Sequence, residues 1–216
     1  MKRIGILAFT LAFTGAVTPG PMLALVIGQT LARGWTATGF ILIGHALIEL
    51  LFVVLLATGF AAHLRRPRVS STLSLIGGGV LVWMGVAILM GARQASLAAS
   101  AGESAGSWFG LIVAGIGVSL SNPYFTSWWV TVGTGQIATL RLRLRRDFAI
   151  FLIGHEMGDL VWYGMVTMVL VAGRSWLSDG VYQGLLLVCG AIIAALGVLF
   201  LVVGGRRLAG AKVRAA

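Results

Sequence analysis

The sequence predicts an all-α polytopic membrane protein: six transmembrane helices in two inverted three-helix repeats, with the first and fourth helices broken. Three observations carry this expectation. The composition is extreme, with 58% apolar and only 10% charged residues among 216 and a mean hydropathy of +0.99, far outside the range of a soluble domain. Six apolar stretches have the length of a membrane span. Prolines interrupt the first and fourth of them, and a histidine–carboxylate phrase recurs in the second and fifth.

Crossing a hydrocarbon core of about 30 Å takes about 20 largely apolar residues. The stretches near 4–31, 37–62, 71–92, 107–135, 147–173 and 182–204 qualify. Lipid offers no partner to an exposed backbone, so each is expected to be helical. The first stretch opens on Lys2 and Arg3 like a signal peptide, but its apolar run passes Pro21 to Leu31 without a small-x-small cleavage site, which predicts a retained span.

Inside the first span stands Thr18-Pro19-Gly20-Pro21, and inside the fourth Ser121-Asn122-Pro123-Tyr124, with the only asparagine of the chain. Proline removes a backbone donor and clashes with the preceding turn, and Asn-Pro is a turn former. Two discontinuous helices are expected. Pro21 suits the first position of a new helix, so the positive end of that half-helix faces the midplane and can receive an anionic group. Carbonyls freed upstream of each break can face a cation, a pairing that matches a zwitterion.

Residues 1–216 are expected to form a single transporter domain, with repeat 1 over about 1–92 and repeat 2 over about 107–204, joined by the small and polar stretch Ser96–Ser107. Three spans per half reverse the entry side of the second half, so a sequence repeat implies inverted topology. The basic residues set the orientation. With a cytoplasmic N-terminus, 13 of them fall inside (Lys2, Arg3, Arg65, Arg66, Arg68, Arg141, Arg143, Arg145, Arg146, Arg206, Arg207, Lys212, Arg214) and only Arg33, Arg93 and Arg174 fall outside. Both termini are therefore expected in the cytoplasm. Trp35, Trp108 and Trp176 fall near the outer ends, as interfacial tryptophans do. The net charge of +10 lies in short loops beside spans, which points to anionic lipid rather than nucleic acid.

The recurring phrase is Gly44-His45-Ala46-Leu47-Ile48-Glu49 and, 110 residues on, Gly154-His155-Glu156-Met157-Gly158-Asp159. Each copy sets a histidine and a carboxylate at i and i+4, on one helix face. Of only six acidic residues, Glu49, Glu156 and Asp159 lie within predicted spans. A charged carboxylate at a helix centre costs about 2.5–3.5 kcal/mol on insertion scales, so such groups face a cavity or a partner. One His–acid pair can be a plain interhelical hydrogen bond; its repetition argues for function. Such a pair in a membrane cavity can take up and release a proton near neutral pH. His45, Glu49, His155 and Asp159 are thus expected to carry proton coupling, with Glu156, on another face, a subsidiary member. The same four residues suit a divalent metal ion.

The remaining signals are plainer. Gly106/Gly110, Gly154/Gly158 and Gly180/Gly184 are small-xxx-small spacings that allow close packing, but with 31 glycines in the chain they specify no partner. Trp128-Trp129 and Trp162-Tyr163 lie within spans and can line a cavity, although aromatic residues in helices are more often core; Tyr124 beside the break has a hydroxyl that needs a partner, and His63 is expected at the interface. Cys189, the single cysteine, forms no intrachain disulfide and is expected to pack. No nucleotide-binding loop, cysteine cluster or nucleophile–base arrangement is found, so neither an enzyme nor a cofactor is expected.

Thr18-Pro19-Gly20-Pro21-Met22, the following Arg33-Gly34 and the later Asn122-Pro123 resemble the LysE/RhtB group of small prokaryotic exporters, and the likeness runs over most of the chain. The resemblance implies a multi-pass plasma (inner) membrane exporter of amino acids or related small metabolites, secondary and proton-linked, with signature residues at Pro19, Gly20, Pro21, Asn122 and Pro123. The substrate is expected at Thr18, Pro19, Gly20, Pro21, Asn122, Pro123 and Tyr124, between halves that alternate their access. The wider superfamily includes metal exporters, so export of a divalent ion by His45, Glu49, His155 and Asp159 is the alternative. A branch that moves electrons through paired thiols is excluded by the lone Cys189, and a non-transport scaffold leaves the buried acids without a purpose.

Overall fold

The computed structural model describes residues 2–97, 107–140, 142 and 145–213. Most of the stretch joining the two halves, and Arg141, Arg143 and Arg214 of the inside basic set, lie outside them. Every regular element among the described residues is helical.

The first apolar stretch folds as α1 (Lys2–Ala16) and α2 (Pro21–Arg33), bent by 85° at the break. Gly20 precedes α2 in extended conformation and Pro21 is its first residue, the position where a missing N–H is harmless. Gly34, at φ 76°, turns the chain into α3 (Trp35–Ala57). That helix stops five residues before the expected end at 62, because Gly59 turns left-handed at φ 84° ahead of the short α4 (Ala61–Leu64). Then come α5 (Pro67–Ala92) and, in the second half, α6 (Trp108–Ser121).

The second break is narrower than the first. Asn122 alone is extended, its Oδ1 accepts the Tyr124 N–H, and helix resumes at Pro123 as α7 (Pro123–Trp128), an Asn cap followed by proline at the first helical position. The bend is 63°. A π-helical turn, Trp129–Gly133, follows before α8 (Thr134–Thr139); nothing in the residue pattern announces it, and such turns gather at functional positions. The chain ends with α9 (Arg145–Ala172) and α10 (Asp179–Val213).

Among the described residues, α3, α5 and the Asp179–Ala209 portion of α10 are each long and apolar enough to cross a membrane, and each of the two bent pairs is so when its two helices are taken together, as a broken span or a re-entrant segment. The protein is a polytopic helical membrane protein. With 28 residues α9 has a length of about 42 Å. Over residues 153–169 it turns one polar face inward: His155, Gly158, Asp159, Tyr163 and Thr167 are buried, while Ile153, Met157, Leu160, Met165 and Val169 on its other faces are exposed.

Packing is pairwise and reciprocal. The first helix of one half packs on the second of the other, α1 on α9 and α3 on α6, and the two third helices, α5 and α10, pack together. Glycines of the repeated phrase make the first two approaches. Gly44 lies directly against the Ile112 backbone and Gly115 against that of Ile41. A Cβ on Gly154 would stand 2.6 Å from the Gly5 carbonyl oxygen, and one on Gly158 2.6 Å from the Ala12 Cβ. Of the three small-xxx-small spacings, Gly154/Gly158 is therefore a helix contact, whereas a Cβ on Gly184 would meet nothing within 4 Å. Cys189 is buried in an apolar cluster with Leu81 and Ile193.

Candidate functional site

The i,i+4 spacing turns His45 and Glu49 toward the inside of α3, and the same spacing turns His155 and Asp159 inward from α9. All four are buried, and they meet. Glu49 Oε1 is the hub: His45 Nε2 lies 3.3 Å away and His155 Nε2 3.4 Å away. His155 Nε2 also stands 3.6 Å from Asp159 Oδ2. Trp129, projecting from the π-helical turn, donates its Nε1–H to the same Glu49 oxygen at 3.2 Å. Glu156 sits at the margin, its side chain interacting with that of Glu49 and its Oε1 buried without a hydrogen bond.

The proton inventory at His45 follows from its other neighbour. Ser119 Oγ lies 2.8 Å from His45 Nδ1 and donates its hydroxyl to the Gly115 carbonyl at 2.7 Å. A serine has one hydrogen to give, so both contacts are hydrogen bonds only if His45 Nδ1 carries its own proton. His45 Nε2 then faces Glu49 bare unless one further proton sits between them. That proton makes either an imidazolium beside a carboxylate or a neutral imidazole beside a carboxylic acid. Among the described residues, Glu49 Oε2 and Asp159 Oδ2 are buried and make no hydrogen bond, the latter having only the 3.6 Å contact with His155 Nε2, so each can accept from a donor that enters the site.

These groups line a cavity of about 60 Å³ together with Thr18, Pro19, Gly20, Asn122 and Tyr124. Five of the seven residues expected to touch substrate therefore stand at the same cavity as the ionisable cluster. Pro21 and Pro123 do not: Pro21 is buried at the start of α2, and Pro123 packs beside Gly77 of α5. The two breaks adjoin, with a Cβ on Gly20 falling 3.6 Å from Asn122 Nδ2. Hydrogen bonds tie them together. Thr18 Oγ1 donates to the Tyr124 hydroxyl at 3.1 Å, Tyr124 donates to the Thr14 carbonyl at 2.9 Å, and Trp128 Nε1 donates to Thr14 Oγ1 at 3.0 Å. The carbonyl freed upstream of the first break is thus held by a side chain from just after the second.

Beside the cavity, Phe52, Phe125, Trp128, Trp129 and Phe151 form an apolar cluster, with the His155 ring 4.9 Å from Trp129 and 5.1 Å from Trp128. One site residue escapes sequence reasoning: Ser119 sits in an apolar run with only its proximity to Asn122 as a signal. Trp129, for which the sequence favours core over cavity lining, lines the cavity and uses its N–H on Glu49.

Residues 13–204 match the LysE type translocator family. The chain is 27% identical over 164 residues to the chemotactic transduction protein ChpE of Pseudomonas aeruginosa, covering 75% of this chain and 79% of that protein. It is 24% identical over 193 residues to YcgF of Bacillus subtilis, named provisionally as an amino acid efflux protein, covering 88% of this chain and 91% of that one. No solved structure matches.

Proposed function

The chain belongs to the LysE type translocator family, and from that premise we propose that it is a proton-coupled secondary exporter of amino acids or related small metabolites across a prokaryotic plasma membrane. The observation that carries the coupling is the single buried oxygen, Glu49 Oε1, shared by His45 and His155 from different helices. One mobile proton between His45 and Glu49 gives the site two charge states, which is what coupling requires.

In this reading the ammonium group of the substrate approaches Glu49 Oε2 and Asp159 Oδ2, two buried carboxylate oxygens that accept no hydrogen bond among the described residues. Its carboxylate meets the N-terminus of α2 at Gly20 and the Asn122 amide, both at the cavity wall. A substrate ammonium and a proton on Glu49 compete for the same carboxylate, so loading one releases the other. A cavity of about 60 Å³ is about the room of two waters. Loading an amino acid therefore requires the halves to part, and the reciprocal packing of α1 on α9 and α3 on α6 supports two inverted repeats, 1–92 and 107–204, rocking about the site. Both termini lie in the cytoplasm by the distribution of arginine.

A second reading has its own observation. One ligand atom each from His45, Glu49 and Asp159 lie within 4.8 Å of one another, a spacing and donor set suited to a divalent ion as cargo. One experiment separates the two. Vesicles and cells carrying wild type or Glu49→Gln/Asp159→Asn are assayed for imposed-ΔpH-driven amino acid efflux and for cellular metal content. Loss of amino acid efflux with unchanged metal content supports the proposal. A change confined to metals replaces it with the second reading, and efflux that keeps its pH dependence in the double variant refutes the coupling.

A further inference from the structure

Away from the central site, a second cavity of about 260 Å³ lies between α4, the N-terminal half of α5, α7 with its π-helical turn, and the end of α10. Its wall carries two guanidinium groups, Arg65 and Arg207, with the hydroxyls of Ser70, Ser74, Thr126 and Ser127, and no carboxylate among the described residues. Arg65 is anchored: its Nε and Nη2 donate to the Val130 carbonyl at 3.3 and 2.9 Å. Among the described residues Arg207 hydrogen-bonds only Ser70 Oγ, at 3.5 Å, the far limit of a hydrogen bond.

Two like charges facing one concavity repel, and the repulsion grows as the surroundings lose water. An anion between them reverses its sign. Guanidinium forks match phosphate oxygens in geometry, and hydroxyls complete the coordination of an oxyanion that has more lone pairs than two arginines satisfy. Both arginines are exposed, Arg65 directly after α4 and Arg207 two residues before the apolar part of α10 ends at Ala209, near the depth at which lipid phosphates lie. We propose that this cavity is a phosphate-binding site, taking either the phosphodiester of an anionic lipid headgroup or free phosphate. An occupant touches Thr126 and Ser127 of α7, one residue from Trp128, which lines the central cavity. The site therefore adjoins the helix that moves if the second break flexes.

The test uses the full-length protein. In detergent, inorganic phosphate is titrated against thermal stability; in nanodiscs of mixed phosphatidylglycerol and phosphatidylcholine, retained phosphatidylglycerol is counted by native mass spectrometry. The variants are Arg207→Gln, Arg207→Lys and, as a control that removes one charge elsewhere, Arg174→Gln. Losing a charged hydrogen-bonding partner weakens binding about tenfold or more. Arg207→Gln is expected to show that loss, Arg207→Lys a smaller one and Arg174→Gln none. Saturable stabilisation by phosphate identifies the soluble anion as an occupant; phosphatidylglycerol retention that depends on Arg207, without a phosphate effect, identifies the lipid. Absence of both effects, or equal losses in Arg207→Gln and Arg174→Gln, overturns the proposal.

Discussion

Gly44→Ala tests whether close helix packing sets the geometry of the ionisable cluster. The added Cβ would lie 2.9 Å from the carbonyl carbon of Ile112 and 3.1 Å from its Cα, with the oxygen nearer still. These are backbone atoms of α6 and cannot rotate away. Restoring an ordinary 3.4 Å contact to the carbonyl carbon moves α3 from α6 by at least about 0.5 Å, with overpacking costing about 1–3 kcal/mol. His45, the next residue, bonds across this interface to Ser119 at 2.8 Å, so the same displacement stretches that bond to about 3.3 Å or more, beyond the usual range. In the proposed mechanism, the proton shared by His45 and Glu49 then loses its reference point. Efflux from vesicles is expected to fall about tenfold, the equivalent of one such bond, with lowered thermal stability. Gly39→Ala on the same helix, where a Cβ meets nothing within 4 Å, should leave both readouts unchanged. Wild-type stability and efflux in Gly44→Ala would refute the argument that this contact positions the site.

Two other predictions rest on buried polar contacts. Trp129→Phe keeps a ring beside His155 but removes the N–H that meets Glu49; efflux should drop at least severalfold while thermal stability falls by about 1 kcal/mol, and unaltered efflux would mean that this donor is only structural. Thr30, Thr38 and Thr167 form a buried hydroxyl chain with both links at 2.8 Å. Thr38→Val strands both neighbours and should cost about 1–3 kcal/mol in an unfolding assay, whereas the triple valine variant should be closer to wild type, since removing all partners leaves nothing unsatisfied. Additive losses across the three positions would contradict that account.

Much of the architecture is legible in the residues because the bilayer imposes a one-dimensional rule. Length and apolarity mark the helices, and Pro19, Pro21 and Pro123 mark the breaks, since proline cannot donate in a helix whatever surrounds it. The i,i+4 spacing places His45 with Glu49 and His155 with Asp159 by local geometry alone. What the sequence leaves open are features fixed by contacts between helices. The halt of α3 at Ala57 and the π-helical turn at Trp129–Gly133 are examples. The turn's Val130 carbonyl accepts from Arg65, 65 residues earlier in the chain, and no local pattern encodes such a partner.

The sequence by itself determined that the chain is a helical membrane protein, where its helices break and which buried groups demand a partner, because burial of a charge and loss of a backbone donor are costly in any fold. Only the tertiary structure decided that the two histidine–carboxylate phrases meet at one oxygen of Glu49, that Ser119 and Trp129 complete that meeting, and that Pro21 and Pro123 stand outside it. The physical reason is the glycine contacts. The approaches of Gly44 to Ile112 and Gly154 to Gly5 bring each phrase-bearing helix against the broken helix of the other half. Glycine spacing permits such an approach, and only the packed helices choose the partner.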